Sequence, residues 1–190
     1  MKIIILVPIY NDWKSVSKLI EEINSKVSGL NGIFSIIIVN DASSEQQSIY
    51  APNLENLQTV KIINMKENRG HARCNAAGLK YIFENEEFDY VIPMDGDGED
   101  KPEEIKNFVE YISYTPDKTI VGERVKRSEN LFFKFCYSFH KILTFVFTGQ
   151  SIKFGNFTCL PKSTVEKMIN DKASWSSFSG ALTKLEKGRS

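Results

Sequence analysis

Residues 90–100 read Tyr90-Val91-Ile92-Pro93-Met94-Asp95-Gly96-Asp97-Gly98-Glu99-Asp100. The apolar first half predicts a short buried strand, and the glycines that follow predict a turn at its carboxyl end. Carboxylates crowded this closely repel one another unless a cation lies between them. Such oxygen ligands suit Mg²⁺ or Mn²⁺, with diphosphate oxygens completing the coordination shell. The alternative is an ordinary acidic loop, because Asp and Gly are frequent in turns that bind no metal.

Further apolar runs on both sides of this stretch have the length of buried strands. They cover residues 3–7, 34–39, 60–63 and 119–121. Helical patterns lie between them, after Asp12 or Ser15, over about residues 71–83 and after Pro102. Strands that alternate with helices predict a three-layer α/β/α fold with a mostly parallel central sheet and right-handed crossovers.

Composition limits the class of protein. The 190 residues suffice for one domain with a sizeable core, and 42% hydrophobic with 25% charged residues indicates a globular chain. Lys and Arg together number 24, as do Asp and Glu, so charge gives no reason to expect a nucleic-acid partner. Three cysteines without metal-ligand spacing favour a reducing compartment, so we expect a cytoplasmic protein. No segment has the ~18 apolar residues of a membrane span, and residues 3–7 are interpreted as a core strand rather than a signal peptide.

Polar loops follow four of the predicted strands, at residues 8–11, 40–43, 68–70 and 95–97. In parallel α/β sheets, ligands bind beyond the carboxyl ends of the strands. We therefore expect these loops to meet at one crevice. An acidic loop that meets the basic Asn68-Arg69-Gly70 loop there predicts a site for a nucleoside diphosphate.

These loops together resemble glycosyltransferase family 2. The segments that carry the resemblance are Val7-Pro8-Ile9-Tyr10-Asn11-Asp12, Val39-Asn40-Asp41-Ala42-Ser43, Asn68-Arg69-Gly70-His71-Ala72-Arg73-Cys74-Asn75-Ala76 and Met94-Asp95-Gly96-Asp97. The similarity is strong over residues 1–125 and looser over 126–190. Residues 94–103 are particularly similar to the branch that acts on polyprenyl phosphates, such as dolichyl-phosphate mannosyltransferases. The resemblance implies the GT-A nucleotide-sugar fold and an inverting transfer.

The resemblance also implies which residues bind the nucleotide sugar, a UDP- or GDP-linked donor. These residues are Pro8, Tyr10, Asn11, Asp41, Arg69, Gly70, Arg73 and Asp95. Asp41 would accept a hydrogen bond from the base, although Asn40 replaces the first member of the family's usual acidic pair. Asn11 and Asp41 could instead be turn and cap residues, and Arg69 could instead pair with Glu67 on the surface.

Metal binding and catalysis are assigned by the same resemblance. The expected ligands of Mg²⁺ or Mn²⁺ are Asp97, Asp95 and Glu99, and the expected catalytic residues are Asp95, Asp97, Arg124 and Arg127. Arg124 and Arg127 would hold an acceptor phosphate, or else form a solvated basic turn. We identify no general base, since His71 is interpreted as a helix-start residue. This favours a phosphate acceptor, which is already an anionic nucleophile.

The C-terminal third is expected to serve the acceptor. Residues 131–147 are rich in phenylalanine with interspersed lysines, which predicts an amphipathic helix at a membrane surface, such as the inner face of the cytoplasmic membrane. A helix that packs on the core, or between the subunits of a homodimer, is the alternative. Residues 155–161 resemble the segment that returns toward the acceptor, and Trp175, Phe178 and Leu182 indicate a further helix. We expect 1–190 to be one catalytic domain shortened at its C-terminus.

The sequence therefore predicts an inverting glycosyltransferase that acts on a polyprenyl phosphate or a glycan acceptor in cell-envelope synthesis. One alternative is a non-catalytic module that binds nucleotide sugars or supports assembly. A second is a nucleotidyltransferase, which also uses a metal on an α/β sheet. That class requires a glycine-rich basic loop after the first strand, and Pro8-Ile9-Tyr10-Asn11 does not supply one.

Overall fold

A central sheet with helices on both faces organises the chain in a computed structural model that describes residues 1–49, 54–122 and 155–185. The strands are β1 (Lys2–Ile9), β2 (Ile33–Asn40), β3 (Leu57–Asn64), β4 (Tyr90–Pro93), β5 (Ile120–Val121) and β6 (Thr158–Pro161). The helices are α1 (Trp13–Lys26), α2 (His71–Asn85), α3 (Ile105–Tyr114), α4 (Lys162–Asn170) and α5 (Phe178–Leu185). Short 3-10 helices cover Pro102–Glu104 and Lys172–Trp175.

The strand order across the sheet is β3-β2-β1-β4-β6-β5. The first four strands are parallel, whereas β6 runs antiparallel to both β4 and β5. The predicted three-layer α/β/α fold with a mostly parallel sheet is confirmed. The strand at residues 158–161 and helix α4 were not predicted.

Each face of the sheet carries its own hydrophobic core. Alternate side chains of β1 point to opposite faces, so Ile3 and Ile5 pack with α1 and α3, whereas Ile4 and Leu6 pack with α2, α4 and α5. Every residue from Ile3 to Ile9 is therefore buried. This double burial explains why β1 is a continuous apolar run rather than an alternating one.

Helix α1 begins where the sequence offers a cap. The Asp12 carboxylate accepts a hydrogen bond from the backbone N–H of Ser15 at 3.2 Å, which satisfies one of the open donors of the first turn. Asp12 rather than Ser15 is thus the cap. The helix then buries Val16, Leu19 and Ile20 against the sheet. The short loop of residues 10–12 between β1 and α1 therefore lies at the carboxyl end of β1.

Helix α2 lies so close to the sheet that Gly78 leaves no room for a side chain. A β-carbon there would lie 2.4 Å from Leu6 Cδ1 and 2.9 Å from Val39 Cγ2. We expect Gly78→Ala to lower the free energy of unfolding by about 1 kcal/mol, because overpacking outweighs the gain in helix propensity. Urea unfolding measures this. Combined with Leu6→Ala, the substitution should cost less than the two separate losses added together, and strict additivity would contradict the close contact.

Within the described ranges, none of the helices is both long and apolar enough to cross a membrane. Residues 131–147, predicted to form an amphipathic or subunit-contacting helix, lie outside the described ranges. Arg124 and Arg127, the predicted acceptor-phosphate residues, also lie outside them. These assignments stay predictions.

Candidate functional site

The crevice lies where the direction of the chain across the sheet reverses. From β1 the chain passes through α1 on one face to β2, whereas α2 on the other face leads from β3 to β4 on the opposite side of β1. The carboxyl ends of β1 and β4 therefore flank an opening between diverging loops. A cleft of about 350 Å³ occupies this place. It is lined by Pro8, Ile9, Tyr10, Asp12, His71, Asp95, Gly96 and Asp97.

The acidic turn after β4 presents two carboxylates to this cleft. Asp97 is exposed and its Oδ1 accepts a hydrogen bond from the Glu99 N–H at 2.8 Å, whereas Asp95 is half-buried. Asp100 is only 6% exposed, and its Oδ2 accepts the Asp95 N–H at 2.8 Å. Asp100 thus braces the turn from inside, while Asp95 and Asp97 face the position expected for a ligand.

Gly96 allows this turn to lie against the end of β1. A β-carbon at that position would lie 3.1 Å from Ile9 Cγ2 and 3.3 Å from the Pro8 carbonyl oxygen. The close approach brings the acidic turn next to Tyr10, which is 50% exposed at the rim. The predicted residues Pro8, Tyr10, Asp95 and Asp97 are therefore brought together.

His71 begins α2, as predicted, and also borders the cleft. Its Nε2 lies 3.0 Å from Asp95 Oδ1, and this hydrogen bond raises the pKa of His71, with burial acting in the opposite direction. Asn156 reaches the same pair from the segment before β6. The resemblance placed residues 155–161 near the acceptor but gave Asn156 no role, because residues far apart along the chain carry no local signal of their contact.

Asp41 holds the loop that leads into α2. Asp41 is only 3% exposed. Its two carboxylate oxygens accept hydrogen bonds from the backbone N–H groups of Arg69 and Gly70, each at 2.8 Å. Asn40 supports the same region, since its Nδ2 donates to Asn64 Oδ1 at 2.8 Å and its Oδ1 accepts the Ser43 N–H at 3.0 Å. This geometry matches the cap-and-turn alternative, and the expected contact of Asp41 with a base stays a prediction.

Asn11 connects the loops that follow β1 and β2. Its backbone N–H donates to Ser43 Oγ at 2.8 Å, and its side-chain oxygen accepts the Glu45 N–H at 3.0 Å. Its φ of +56° lies in the left-handed region, which asparagine tolerates better than most residues. Asn11 thus joins the two loops through both its backbone and its side chain, which matches its alternative as a turn residue, and its contact with a nucleotide sugar stays a prediction.

The two arginines predicted to bind the nucleotide, Arg69 in the basic loop and Arg73 in the first turn of α2, are exposed and are not among the described residues that line the cleft. Arg69 pairs with Glu67, which is the surface alternative. Arg73 Nη1 lies 3.4 Å from the Arg69 carbonyl oxygen. Their contacts with a nucleotide stay predictions.

The donor set suits a cation only in part. Over residues 1–49, 54–122 and 155–185, no group of three or more His, Cys, Asp or Glu side chains has the arrangement of a metal site. Two carboxylates beside an open cleft fit a hard cation that takes its remaining oxygens from a diphosphate. Glu99 is exposed and does not line the cleft, so its expected metal contact stays a prediction.

In doubly wound α/β proteins, ligands bind at the carboxyl ends of the strands, and this is where the cleft and the acidic turn lie. The chain belongs to glycosyl transferase family 2, whose sequence profile matches residues 4–174. The predicted family is confirmed.

Curated relatives are similar to most of the chain. It is 29% identical over 176 residues to the undecaprenyl-phosphate 4-deoxy-4-formamido-L-arabinose transferase of Yersinia enterocolitica, covering 89% of this chain and 51% of that protein. It is 28% identical over 126 residues to the dolichol-phosphate mannosyltransferase of Pyrococcus furiosus, covering 66% and 34%. These relatives confirm the similarity to the polyprenyl-phosphate branch. The chain spans about half the length of the first of them.

Solved structures share the fold at low sequence identity. S. aureus TarS 1-349 gives a TM-score of 0.55 at 14% identity, covering 96% of this chain and 55% of that one. The mannosyltransferase PcManGT from Pyrobaculum calidifontis, in complex with GDP-Man and Mn²⁺, gives 0.53 at 16% identity, covering 87% and 46%. These similarities confirm the GT-A fold.

Proposed function

We propose that this chain provides the donor-binding part of an inverting glycosyltransferase that moves a sugar from a nucleoside diphosphate to a lipid phosphate or a surface glycan. The observation that carries the proposal is the convergence of Asp95 and Asp97 with Pro8 and Tyr10 in one cleft at the switch point. The names of the curated relatives, which are transferases for undecaprenyl phosphate and dolichol phosphate, support the acceptor class.

The residues of the cleft suit a diphosphate. In this proposal Asp97 and Asp95 would hold a divalent cation, which would neutralise the charge of the departing diphosphate. The first turn of α2 opens at His71 on the wall of the cleft, and the amino end of a helix favours an anion through its open N–H groups and dipole. Tyr10 and Pro8 then border the nucleoside.

A phosphate acceptor requires no residue to remove a proton. Its oxygen forms a bond to the anomeric carbon while the bond from that carbon to the diphosphate oxygen breaks, and the electron pair leaves with the diphosphate. Attack from the side opposite to the leaving group inverts the anomeric centre. The chain needs only to bind the donor and leave the anomeric carbon open on the side opposite to the diphosphate.

Titration calorimetry with UDP and GDP, each in the presence of Mn²⁺ or of a chelator, tests the proposal. We expect binding of one nucleotide in Mn²⁺ and a loss of at least about tenfold in affinity with the chelator, because a cation shared by nucleotide and protein couples the binding of the two ligands. Equal affinity in both conditions, or binding of neither nucleotide, would contradict the proposal. Transfer or hydrolysis of the matching nucleotide sugar then separates an enzyme from the non-catalytic alternative.

A further inference from the structure

An asparagine from the C-terminal part of the chain reaches the acidic turn. Asn156 Nδ2 donates to Asp95 Oδ1 at 3.2 Å and lies 3.4 Å from His71 Nδ1. His71 Nε2 lies 3.0 Å from the same oxygen of Asp95. The three side chains therefore form a closed triangle on one wall of the cleft, although Asn156 is 61 residues from Asp95 and 85 from His71 along the chain.

The backbone that follows Asn156 is anchored in the core. The next residue, Phe157, is buried, accepts the Gly122 N–H at its carbonyl oxygen at 3.1 Å, and packs edge-on against the Phe108 ring at 4.9 Å between centroids. Beyond it, β6 pairs with β4 through the Val91–Leu160 register. The core therefore fixes the chain directly after Asn156, at the point where this side chain enters the cleft wall.

We propose that Asn156 is a positioning residue for Asp95, holding the acidic turn in the orientation that binds the cation and the nucleotide. This inference rests on the proposed function and deepens it at the same site. One oxygen of Asp95 is engaged by Asn156 and His71, so rotation of the carboxylate is restricted. Because Asp97 follows two residues later in the same turn, fixing Asp95 also fixes how Asp97 faces the cleft.

The neighbouring side chains support an orienting rather than a packing role. Asn156 is half-buried, so its side chain fills no part of the core. Asn75 lies on the next turn of α2 and is 0% exposed. Its Nδ2 lies 3.4 Å from His71 Nε2, so it restricts movement of the imidazole ring toward the helix. His71 is thus held between two amides, and Asp95 receives a hydrogen bond from a group whose place is determined elsewhere in the fold.

The experiment compares Mn²⁺-dependent affinity for UDP or GDP in the wild type, Asn156→Ala and Asn156→Leu by calorimetry. Leucine keeps the branched shape of asparagine, with a larger volume, and removes the donor, so comparison with alanine separates hydrogen bonding from packing. Asn170→Ala is the matched control, because Asn170 is exposed and, within the described residues, its amide donates to the Glu166 carbonyl oxygen of its own helix. We expect a 10- to 100-fold loss, roughly, for both Asn156 variants and none for the control.

A second measurement works without any nucleotide. The chain contains two histidines, so the ring-proton NMR signals of His71 can be assigned with His71→Gln. We expect these signals to shift in both Asn156 variants, and urea unfolding to show a small change in stability. If the wild type binds a nucleotide with Mn²⁺ and an Asn156 variant binds it equally well, this inference alone is overturned. Unshifted His71 signals in the variants would also overturn it. Failure of the wild type to bind either nucleotide with Mn²⁺ would overturn the proposed function, and the positioning role with it.

Discussion

Asp97→Ala is expected to reduce Mn²⁺-dependent nucleotide binding and sugar transfer by more than about 100-fold, beyond the loss typical of residues that only support a metal ligand. Asp97 is the exposed carboxylate that faces the cleft, and removing it takes away negative charge where the proposed cation would lie. Its hydrogen bond to the Glu99 N–H lies at the surface, so the fold should tolerate the change. Calorimetry and a transfer assay with the matching nucleotide sugar measure the effect.

The control is Glu110→Ala on α3, which removes an exposed carboxylate that pairs with Lys106 at 3.7 Å and does not line the cleft. It should leave binding and transfer unchanged. Asp97→Asn keeps the shape with less charge and should fall between the wild type and Asp97→Ala. If Asp97→Ala bound the nucleotide as well as the wild type in Mn²⁺, the assignment of the acidic turn would be wrong.

Asp41→Ala is expected to lower the free energy of unfolding by about 3 kcal/mol, since hydrogen bonds to a charged group contribute about 1.5–3 kcal/mol each. The substitution removes the buried carboxylate that accepts the N–H groups of Arg69 and Gly70. Gly70 directly precedes α2, so the loop and the first turn of the helix should loosen together. Chemical denaturation followed by circular dichroism measures the loss.

Asp12→Ala is the comparison for this prediction, because it also removes a carboxylate that accepts one backbone N–H at a helix start. It should cost about 1 kcal/mol, the usual value for a cap. We call the two hydrogen bonds from Arg69 and Gly70 to Asp41 the Asp41 clamp. Equal losses in the two variants would show that the clamp adds little stability beyond that of an ordinary helix cap. Asp41→Asn also separates the two roles of this residue: a base contact predicts weaker nucleotide binding at wild-type stability, whereas the clamp predicts that both decline together.

The predicted strands match the observed ones best where both faces of the sheet are covered. Residues 3–7 and 34–39 lie within β1 and β2, because central parallel strands bury every side chain and leave a continuous apolar run. The third strand was predicted too short at 60–63, whereas β3 covers Leu57–Asn64. It is an edge strand with exposed Gln58 and Thr59, so its first half has no apolar pattern.

The missed elements depend on contacts across the chain. Residues 158–161 form a strand because they pair antiparallel with β4 and β5, and four residues that end in proline carry no clear local pattern. Helix α4 begins directly after this strand at Lys162, with Pro161 as its cap residue. The sequence pattern could not indicate this junction, because strand pairing, rather than local propensity, sets where the helix starts.

The order of residues along the chain by itself determined the four parallel strands, the family and the acidic turn, since the residues that follow a buried strand must emerge at its carboxyl end. Only the tertiary structure decided which of those side chains meet. It placed Asp95 and Asp97 in the cleft, turned Asp41 toward the backbone of the next loop and brought Asn156 onto Asp95. The physical reason is that such contacts depend on strand order and side-chain direction, and both are set by packing between segments far apart in sequence.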